Sequence, residues 1–387
     1  MLFVKRFIAL MCLYAAGPAF AQAPLETAAE YAVIMDYRTG EVLFDKNGRV
    51  QTAPASMSKL MTVAIVFERL KNGSLSLTDE FNVSAKAWRM GGSKMWVRVD
   101  TQIPLIDLLR GVIVQSGNDA CIVIAENLAG SEEAFAELMT QKAREWGMVD
   151  STFVNATGWP HPDHKMSMRD LATLTRRIID EYGSYYALFA EREFTWEKIR
   201  QPNRNPLLES FDGADGLKTG HTEESGFGLV GSAVRNDERR IIVVNGLTSE
   251  KERITETTRL MRIAFDDFAT KEFFQPGDIV AEAEVFKGKV ASVPLLTKES
   301  VDLIMHRRAL DDATATVVYE GPIAAPIREN QQIGYLKVEV AGGPSREYPL
   351  YAGRAVGEMS LFGKIGLAAK TLLAKPPSKD PATGAAQ

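Results

Sequence analysis

Cysteine is almost missing from this chain: 387 residues contain two, Cys12 and Cys121. Cys12 falls in an N-terminal stretch that reads as a removable leader, which leaves Cys121 without an internal partner. A disulfide framework is therefore excluded, and stability has to come from a packed core. Cys121 reads as a buried helix residue. Positive charge in excess is missing too: the formal net charge is −5, which gives no reason to expect nucleic acid as a partner. No apolar run is long enough to cross a bilayer. The N-terminal one, residues 7–16, is short and gives way to Gly17-Pro18. With Lys5-Arg6 before it and Ala19-Phe20-Ala21 after it, residues 1–21 read as a secretory signal peptide cleaved ahead of Gln22. The bulky Met11 argues against lipid attachment at Cys12. The mature protein is expected outside the cytoplasm.

What is present is ample core material, at 45% hydrophobic and 25% charged residues, enough for two or three domains. Strand-like runs at 32–37 and 41–44 flank Arg38-Thr39-Gly40, and helical periodicity follows from Leu60 toward Asn72-Gly73. The pattern is irregular over 81–99. Helices are expected at 105–114, 120–128, 132–146 and 169–182. Residues 192–196 look like a strand and 201–213 like a polar turn. Three strands (216–221, 227–234, 240–247) and an amphipathic helix (250–268) close this region. Strands at both ends bracket a block of helices, which predicts an α/β (α+β) fold: a largely antiparallel five-stranded sheet flanked by helices on both faces. A boundary is expected at Pro276-Gly277. Residues 276–356 then read as a small all-β domain without helical period, and 376–387 as a disordered tail. The loop over 153–167 carries His161, Asp163 and His164. Nothing near them completes a metal site, so it reads as a surface loop.

The chemistry starts at Ser56-Met57-Ser58-Lys59. A small-residue turn runs into the apolar helix, so Ser56 sits in its first turn and Lys59, three residues on, shares its face. A serine hydroxyl needs a neighbour to take its proton, and an amine desolvated by apolar packing can do so. Alone the pattern is weak, since chance produces about one or two such spacings in a chain this long. Two further elements follow in order. Ser116-Gly117-Asn118 lies between two helices, where a hydroxyl and an amide project together. Lys218-Thr219-Gly220 lies on a strand entered from a turn, where a lysine and a threonine facing a cleft, with Gly220 allowing close approach, suit a carboxylate.

With these three elements on the expected kinds of structure, the chain resembles the serine DD-peptidases and active-site-serine β-lactamases. It is most similar to the DD-carboxypeptidase branch of the low-molecular-mass penicillin-binding proteins. The context Ser116-Gly117-Asn118-Asp119-Ala120, Lys218-Thr219-Gly220-His221-Thr222 and Asn203-Arg204-Asn205 carries that narrower likeness, from about residue 32 to the C-terminus. The resemblance implies Ser56 as nucleophile, Lys59 as general base, and Ser116 as proton relay. It implies Asn118 on the substrate amide, Lys218, Thr219 and Arg204 on the terminal carboxylate, and the N–H groups of Ser56 and His221 as oxyanion hole. Peptidoglycan stem peptides are the implied substrate, β-lactam antibiotics the implied covalent inhibitors, and no metal or other cofactor is implied. A class A β-lactamase is the nearest rival, but 155–170 lacks a Glu-x-x-x-Asn. A catalytically idle wall-binding protein is disfavoured by the intact Ser56 and Lys59. Two departures stand out: Ser-Gly-Asn in place of Ser-Asp-Asn, and Trp159 where a leucine is expected.

Residues 357–375 read as an amphipathic helix. Leu361, Phe362, Ile365, Ala369, Leu372 and Leu373 gather on one side; Ser360, Lys364, Thr371 and Lys375 gather on the other, with Leu367 the misfit. From Glu358 to its end this stretch is too short and polar to span a bilayer but suits the interface, so a peripheral anchor on the outer face of the inner membrane is expected.

Overall fold

A computed structural model describes residues 25–340, 345–361, 363 and 365. The signal peptide, most of the amphipathic stretch and the tail lie outside the described residues. Strand β1 (Tyr31–Asp36) turns back into β2 (Val42–Lys46). A single 3₁₀ turn, Ala55–Ser58, leads directly into α1 (Lys59–Lys71). Ser56 thus lies in the turn ahead of the α-helix, and Lys59 opens the helix. Next come β3 (Glu80–Asn82), α2 (Ala85–Arg89), β4 (Gln102–Pro104), α3 (Leu105–Ile113), α4 (Asn118–Ala129), α5 (Glu132–Glu145), α6 (Met168–Glu181) and the one-turn α7 (Gly183–Tyr186). The hairpin β5 (Glu193–Trp196) and β6 (Ile199–Pro202) precedes another single turn, α8 (Leu207–Ser210), and then β7 (Ala214–Thr222), β8 (Gly226–Arg235), β9 (Glu238–Leu247) and α9 (Glu250–Asp266). Part of the stretch expected as polar turn is therefore ordered, because Leu207 and Leu208 are buried. The irregular 81–99 region holds β3, which pairs with the distant β4; local periodicity carries no trace of such a partner.

Among the described residues, the main sheet has five strands in the order β2-β1-β9-β8-β7, every neighbouring pair antiparallel. Alternation along each strand serves two cores. Val33, Met35, Leu217, Val230 and Val243 pack toward the helical block, while Ala32, Ile34, Leu229, Ile242 and Val244 pack with Leu260, Met261 and Phe265 of α9. Helix α1 is buried from Lys59 through Phe67. A helix apolar all round belongs in a core, and this one carries its first residue, a lysine, in with it.

The chain parts into two compact units between Ala269 and Thr270. This lies ahead of Pro276-Gly277 because β10 (Phe268–Phe274) already pairs with β13 (Val301–His306) of the second unit. The second unit also contains β11 (Ile279–Phe286), β12 (Ser292–Thr297), β14 (Ala313–Tyr319), β15 (Ile323–Ala324), β16 (Gln332–Val340) and β17 (Ser345–Ala352). Among the described residues these form a six-stranded sheet ordered β14-β16-β17-β12-β11-β15. One helical turn, Arg307–Leu310, interrupts the otherwise all-β pattern, with Leu310 buried.

The loop between α5 and α6 is not a surface loop throughout. His161 is exposed, but His164 is 2% exposed, its ring set edge-on to Phe153 and its Nδ1 accepting the N–H of Val154. Burial holds its pKa down at about 4, so it is a neutral packing residue. Asn155 organises the next turn: its Oδ1 accepts the N–H groups of Thr157, Gly158 and Trp159 at 3.1, 2.8 and 3.1 Å. Gly158 has φ +77°, and a Cβ there would lie 1.9 Å from the carbonyl oxygen of Ala55. The loop is therefore seated against the turn that carries Ser56. Gly158→Ala should destabilise the protein by on the order of 3 kcal/mol, combining left-handed strain with overpacking. An unchanged urea midpoint would show that the seat is not tight.

Candidate active site

Ser56 is half-buried where the 3₁₀ turn meets α1. The preceding Ala55 has φ +48°, a conformation that costs a non-glycine residue about 1–3 kcal/mol and has to be held by its surroundings. The holding groups are visible. Asn245 of β9 donates from Nδ2 to the Ala53 carbonyl at 3.1 Å. Gly220 of β7 lies so close that a Cβ would be 2.8 Å from Pro54 O and 3.0 Å from Met57 Cγ. The need for glycine at 220 thus comes from the turn that carries Ser56 as well as from the cleft it lines.

Lys59 is fully buried. Its Nζ donates to Ser56 Oγ at 2.7 Å and to the Thr157 carbonyl at 2.5 Å. Burial, with a smaller push from Arg204, lowers its pKa from 10.5 to about 8. Ser116 forms a second pair of the same kind. It has φ +58° in the short loop between α3 and α4, and its Oγ accepts from Lys218 Nζ at 2.9 Å. Burial together with the charges of Lys59 and Arg204 holds Lys218 well below the usual lysine range. Two hydroxyl–ammonium pairs therefore share one desolvated site. Lys218 is a correction to the sequence reading. It is 3% exposed and does not line the cleft, because strand alternation turns its ammonium onto Ser116, and Thr219 is the side chain that lines the cleft.

The cleft has a volume of about 570 Å³ and is lined by Ser56, Ser116, Thr219, His221, Arg204 and Arg253 among others. Arg204 reaches across it, Nη1 to Ser93 Oγ at 2.5 Å. His221 is exposed and stacks on Phe227 at 3.9 Å between ring centroids. Asn118 opens α4 and donates from Nδ2 to the Gly91 carbonyl at 2.9 Å, so one N–H of its amide is engaged and the other is left. Asp119 accepts the N–H groups of Met95, Trp96 and Val97 at 2.8–3.1 Å, tying the segment that carries Ser93 to α4. Cys121 is buried on α4, and burial pushes its thiol up to about 12, which makes it inert packing. Among the described residues no group of three or more His, Cys, Asp or Glu could hold a metal ion.

Sequence reasoning missed three contributors. Thr157 acts through a main-chain carbonyl, for which the only local signal is the Asn155-x-Thr157-Gly158 turn. Ser93 has no local signal beyond Gly91-Gly92. Arg253 enters from α9, buried and paired with Glu250 at 2.9 Å, and nothing in its own neighbourhood marks it.

Comparison with known proteins bears on the same residues. The family described as D-alanyl-D-alanine carboxypeptidase matches residues 18–249, and the penicillin-binding protein 5 C-terminal domain matches residues 268–358. D-alanyl-D-alanine carboxypeptidase DacC of Escherichia coli is 35% identical over 86% of this chain and 85% of its own length. DacF of Bacillus subtilis is 32% identical over 89% and 92%. The crystal structure of penicillin binding protein 5 from Haemophilus influenzae superposes with a TM-score of 0.76 at 32% identity, covering 87% of this chain and all of that one. A likeness this long and this close in fold leads to one conclusion: the chain belongs to the D-alanyl-D-alanine carboxypeptidases, serine hydrolases of the penicillin-binding protein class.

Proposed function

We propose that the enzyme removes the terminal D-alanine of peptidoglycan stem pentapeptides through an acyl-enzyme on Ser56. The observation that carries this reading is the buried Lys59 nitrogen 2.7 Å from Ser56 Oγ. At pH 7 a lysine of pKa 8 is neutral in about one molecule in ten, against about one in three thousand at 10.5. Neutral Lys59 takes the hydroxyl proton as Oγ attacks the penultimate D-alanine carbonyl. The N–H groups of Ser56 and His221 meet the oxyanion. Ser116, its hydroxyl held by Lys218, passes its proton to the departing D-alanine nitrogen and takes from Lys59 the proton that left Ser56, so that Lys59 is neutral again. Asn118 binds the substrate amide through its remaining N–H. Thr219 and Arg204 receive the terminal carboxylate, with Lys218 as a charge behind them and Gly220 keeping the wall thin. Water then loses a proton to Lys59 and cleaves the ester, and Lys59 returns that proton to Ser56 Oγ. β-Lactams acylate the same oxygen.

The N-terminal unit, read as catalytic over 22–275, works outside the cytoplasm once residues 1–21 are removed. Residues 358–375 hold the enzyme to the outer face of the inner membrane. In support, Leu361 and Ile365 are 73% and 60% exposed, as an unpartnered apolar face requires. Among the described residues no helix is long and apolar enough to cross a membrane.

Ser56→Ala should lose both penicillin labelling and D-alanine release; label persisting on another residue of that variant would overturn the assignment. Lys59→Ala should lower turnover by about 10²–10⁴-fold with binding little changed. Lys218→Ala should weaken capture of the free acid, and a substrate amidated at its C-terminus should be poorly processed. Equal rates for amide and acid would remove the carboxylate role from Lys218, Thr219 and Arg204.

The base must be neutral to act, and its pKa is lowered to about 8. Hence kcat/KM should climb as pH rises through that value and level off above it. A profile flat between about pH 6 and 9 would rule Lys59 out as the base.

Truncation after Gly357 should give a protein that no longer binds anionic vesicles but keeps full activity on a free peptide. Phe362→Glu with Leu373→Glu should release the full-length chain in the same way. Loss of peptidase activity on truncation would make the segment a packing element instead.

A further inference from the structure

The C-terminal unit carries a small apolar and basic patch that its own core leaves uncovered. It lies at the turn between β11 and β12, where residues 286–290 read Phe-Lys-Gly-Lys-Val. The Val285 N–H donates to the Ala291 carbonyl at 2.8 Å and closes the turn. Phe286 is 43% exposed and Val290 39%, and Lys287 and Lys289 are exposed beside them. Lys287 Nζ lies 4.9 Å from the centre of the Phe286 ring, and neither lysine has a carboxylate partner among the described residues. Exposed apolar residues are ordinary when taken singly. Their place in the fold gives these two a meaning.

The turn is bonded by its main chain to the root of the amphipathic segment. Gly288 bridges to Glu358. The Lys289 N–H donates to the Gly357 carbonyl at 2.9 Å, and the Met359 N–H donates to the Lys287 carbonyl at 2.9 Å. Val356 is held by two further bonds to Ile327, and a Cβ on Gly288 would lie 3.0 Å from Val356 Cγ1. Leu361, the first helical residue beyond the root, follows Met359 by two residues, at most about 7 Å of chain. A helix lying in a membrane interface is buried by about 5–10 Å. A bilayer that takes up residues 358–375 therefore brings its headgroups to the turn. Glu358 is the one carboxylate on the bonded stretches 286–290 and 356–360 against the two lysines, so what meets the headgroups is net positive.

We infer that the β11–β12 turn is a second membrane contact, in which Phe286 and Val290 enter the interface of an anionic phospholipid bilayer and Lys287 and Lys289 meet its headgroups. The inference rests on the reading of residues 358–375 as a peripheral anchor. A helix alone sets a depth but leaves the unit free to pivot about its root. A contact bonded to that root fixes the attitude of the C-terminal unit on the surface. The turn gains from the proximity that the anchor supplies. By itself one aromatic ring, a valine and two lysines fall short of stable attachment, so truncation after Gly357 still releases the protein.

The test uses the chain from Gln22 to Gln387, with vesicles of phosphatidylethanolamine mixed with phosphatidylglycerol and, separately, of phosphatidylcholine. Lys287→Gln with Lys289→Gln should lower partition into the anionic vesicles by about twenty-fold at low salt, each lysine near such a surface supplying about five-fold. Partition into phosphatidylcholine should be unchanged by that pair. Phe286→Ser should lower partition into both by about five-fold, as expected for a ring buried in part. A polarity-sensitive dye attached at Val290→Cys should shift to the blue on anionic vesicles; Cys121 is buried and takes no label. The same dye at Ile279→Cys, exposed at the far end of β11 and roughly 20 Å away, should not respond. Every variant should release D-alanine from a free peptide at the wild-type rate, which shows that it folds. Suppose the wild type binds anionic vesicles and truncation after Gly357 releases it, yet the lysine pair variant partitions like the wild type or the dye at 290 stays in water. The turn is then no membrane contact, although the anchor stands. A dye that shifts with protein concentration in the absence of vesicles would give this face to a second copy of the chain instead. A wild type that ignores the vesicles would sink the anchor reading, and this contact with it.

Discussion

A lysine deprived of water is the constraint on which the site depends. Lys59 opens an α-helix buried on every side, and its pKa falls from 10.5 to about 8 because of that burial. Lowering a base by that interval costs the folded state on the order of 3 kcal/mol at neutral pH. The folded value lies below the unfolded one, so the unfolded chain binds more protons between the two. The contribution of this group to stability therefore grows as pH rises from about 8 toward 10.5 and is at its least below 8. The ammonium can stay only because Ser56 Oγ and the Thr157 carbonyl both accept from it. Thr157 is in turn fixed by the Asn155 side chain and by Gly158 pressed on Ala55. The same contacts that make the charge tolerable aim it at the nucleophile.

The nucleophile turn has an equally specific support. Sheet edges are liabilities that proteins ordinarily cover. Here the turn over Pro54 to Met57 leans on the edge strand β7 at Gly220, and Met57 also reaches Gly228 of β8, where a Cβ would lie 2.6 Å from its Cε. Glycine at both positions lets helix start and sheet edge meet without a layer of side chains between them. That contact brings the turn carrying Ser56 against the strand carrying His221, the two residues whose N–H groups are proposed for the oxyanion.

Much of this was legible in the sequence, for identifiable reasons. Strands β1, β2, β7, β8 and β9 and helices α3 to α6 and α9 carry strong alternation or 3.6-residue periodicity, so their order and the sheet's antiparallel character could be read. Ser56, Lys59, Ser116, Asn118 and Thr219 stood out because each lies in a short motif on a recognisable element. Contributions made through space were not legible. The β3–β4 pairing joins residues some twenty positions apart, the base is anchored by a backbone carbonyl, and Arg253 enters from a helix that packs on the opposite face of the sheet. His164 was misread because the surrounding Gly, Pro and His residues signal a loop but do not tell whether one side chain points inward. Lys218 was placed facing the cleft because residue type suggests a role, while the direction of a side chain depends on the neighbour that captures it, here Ser116.

Charge balance completes the account. Arg204 and Arg253 line the cleft and Lys59 and Lys218 are buried behind it, and the repulsion among these cations helps to hold both lysines below their ordinary range. No carboxylate side chain bonds to Lys59, Lys218 or Arg204 among the described residues, and Arg253 is the one cation of the four with such a partner, Glu250. The site is left electrically incomplete until an anion enters. In the proposed reaction a substrate ending in a free carboxylate would supply that anion one residue from the scissile bond. Selectivity for a chain terminus would, in that reaction, be built from the same desolvated cations that lower the Lys59 pKa, and an internal peptide bond, with no charge to offer, would meet the field uncompensated.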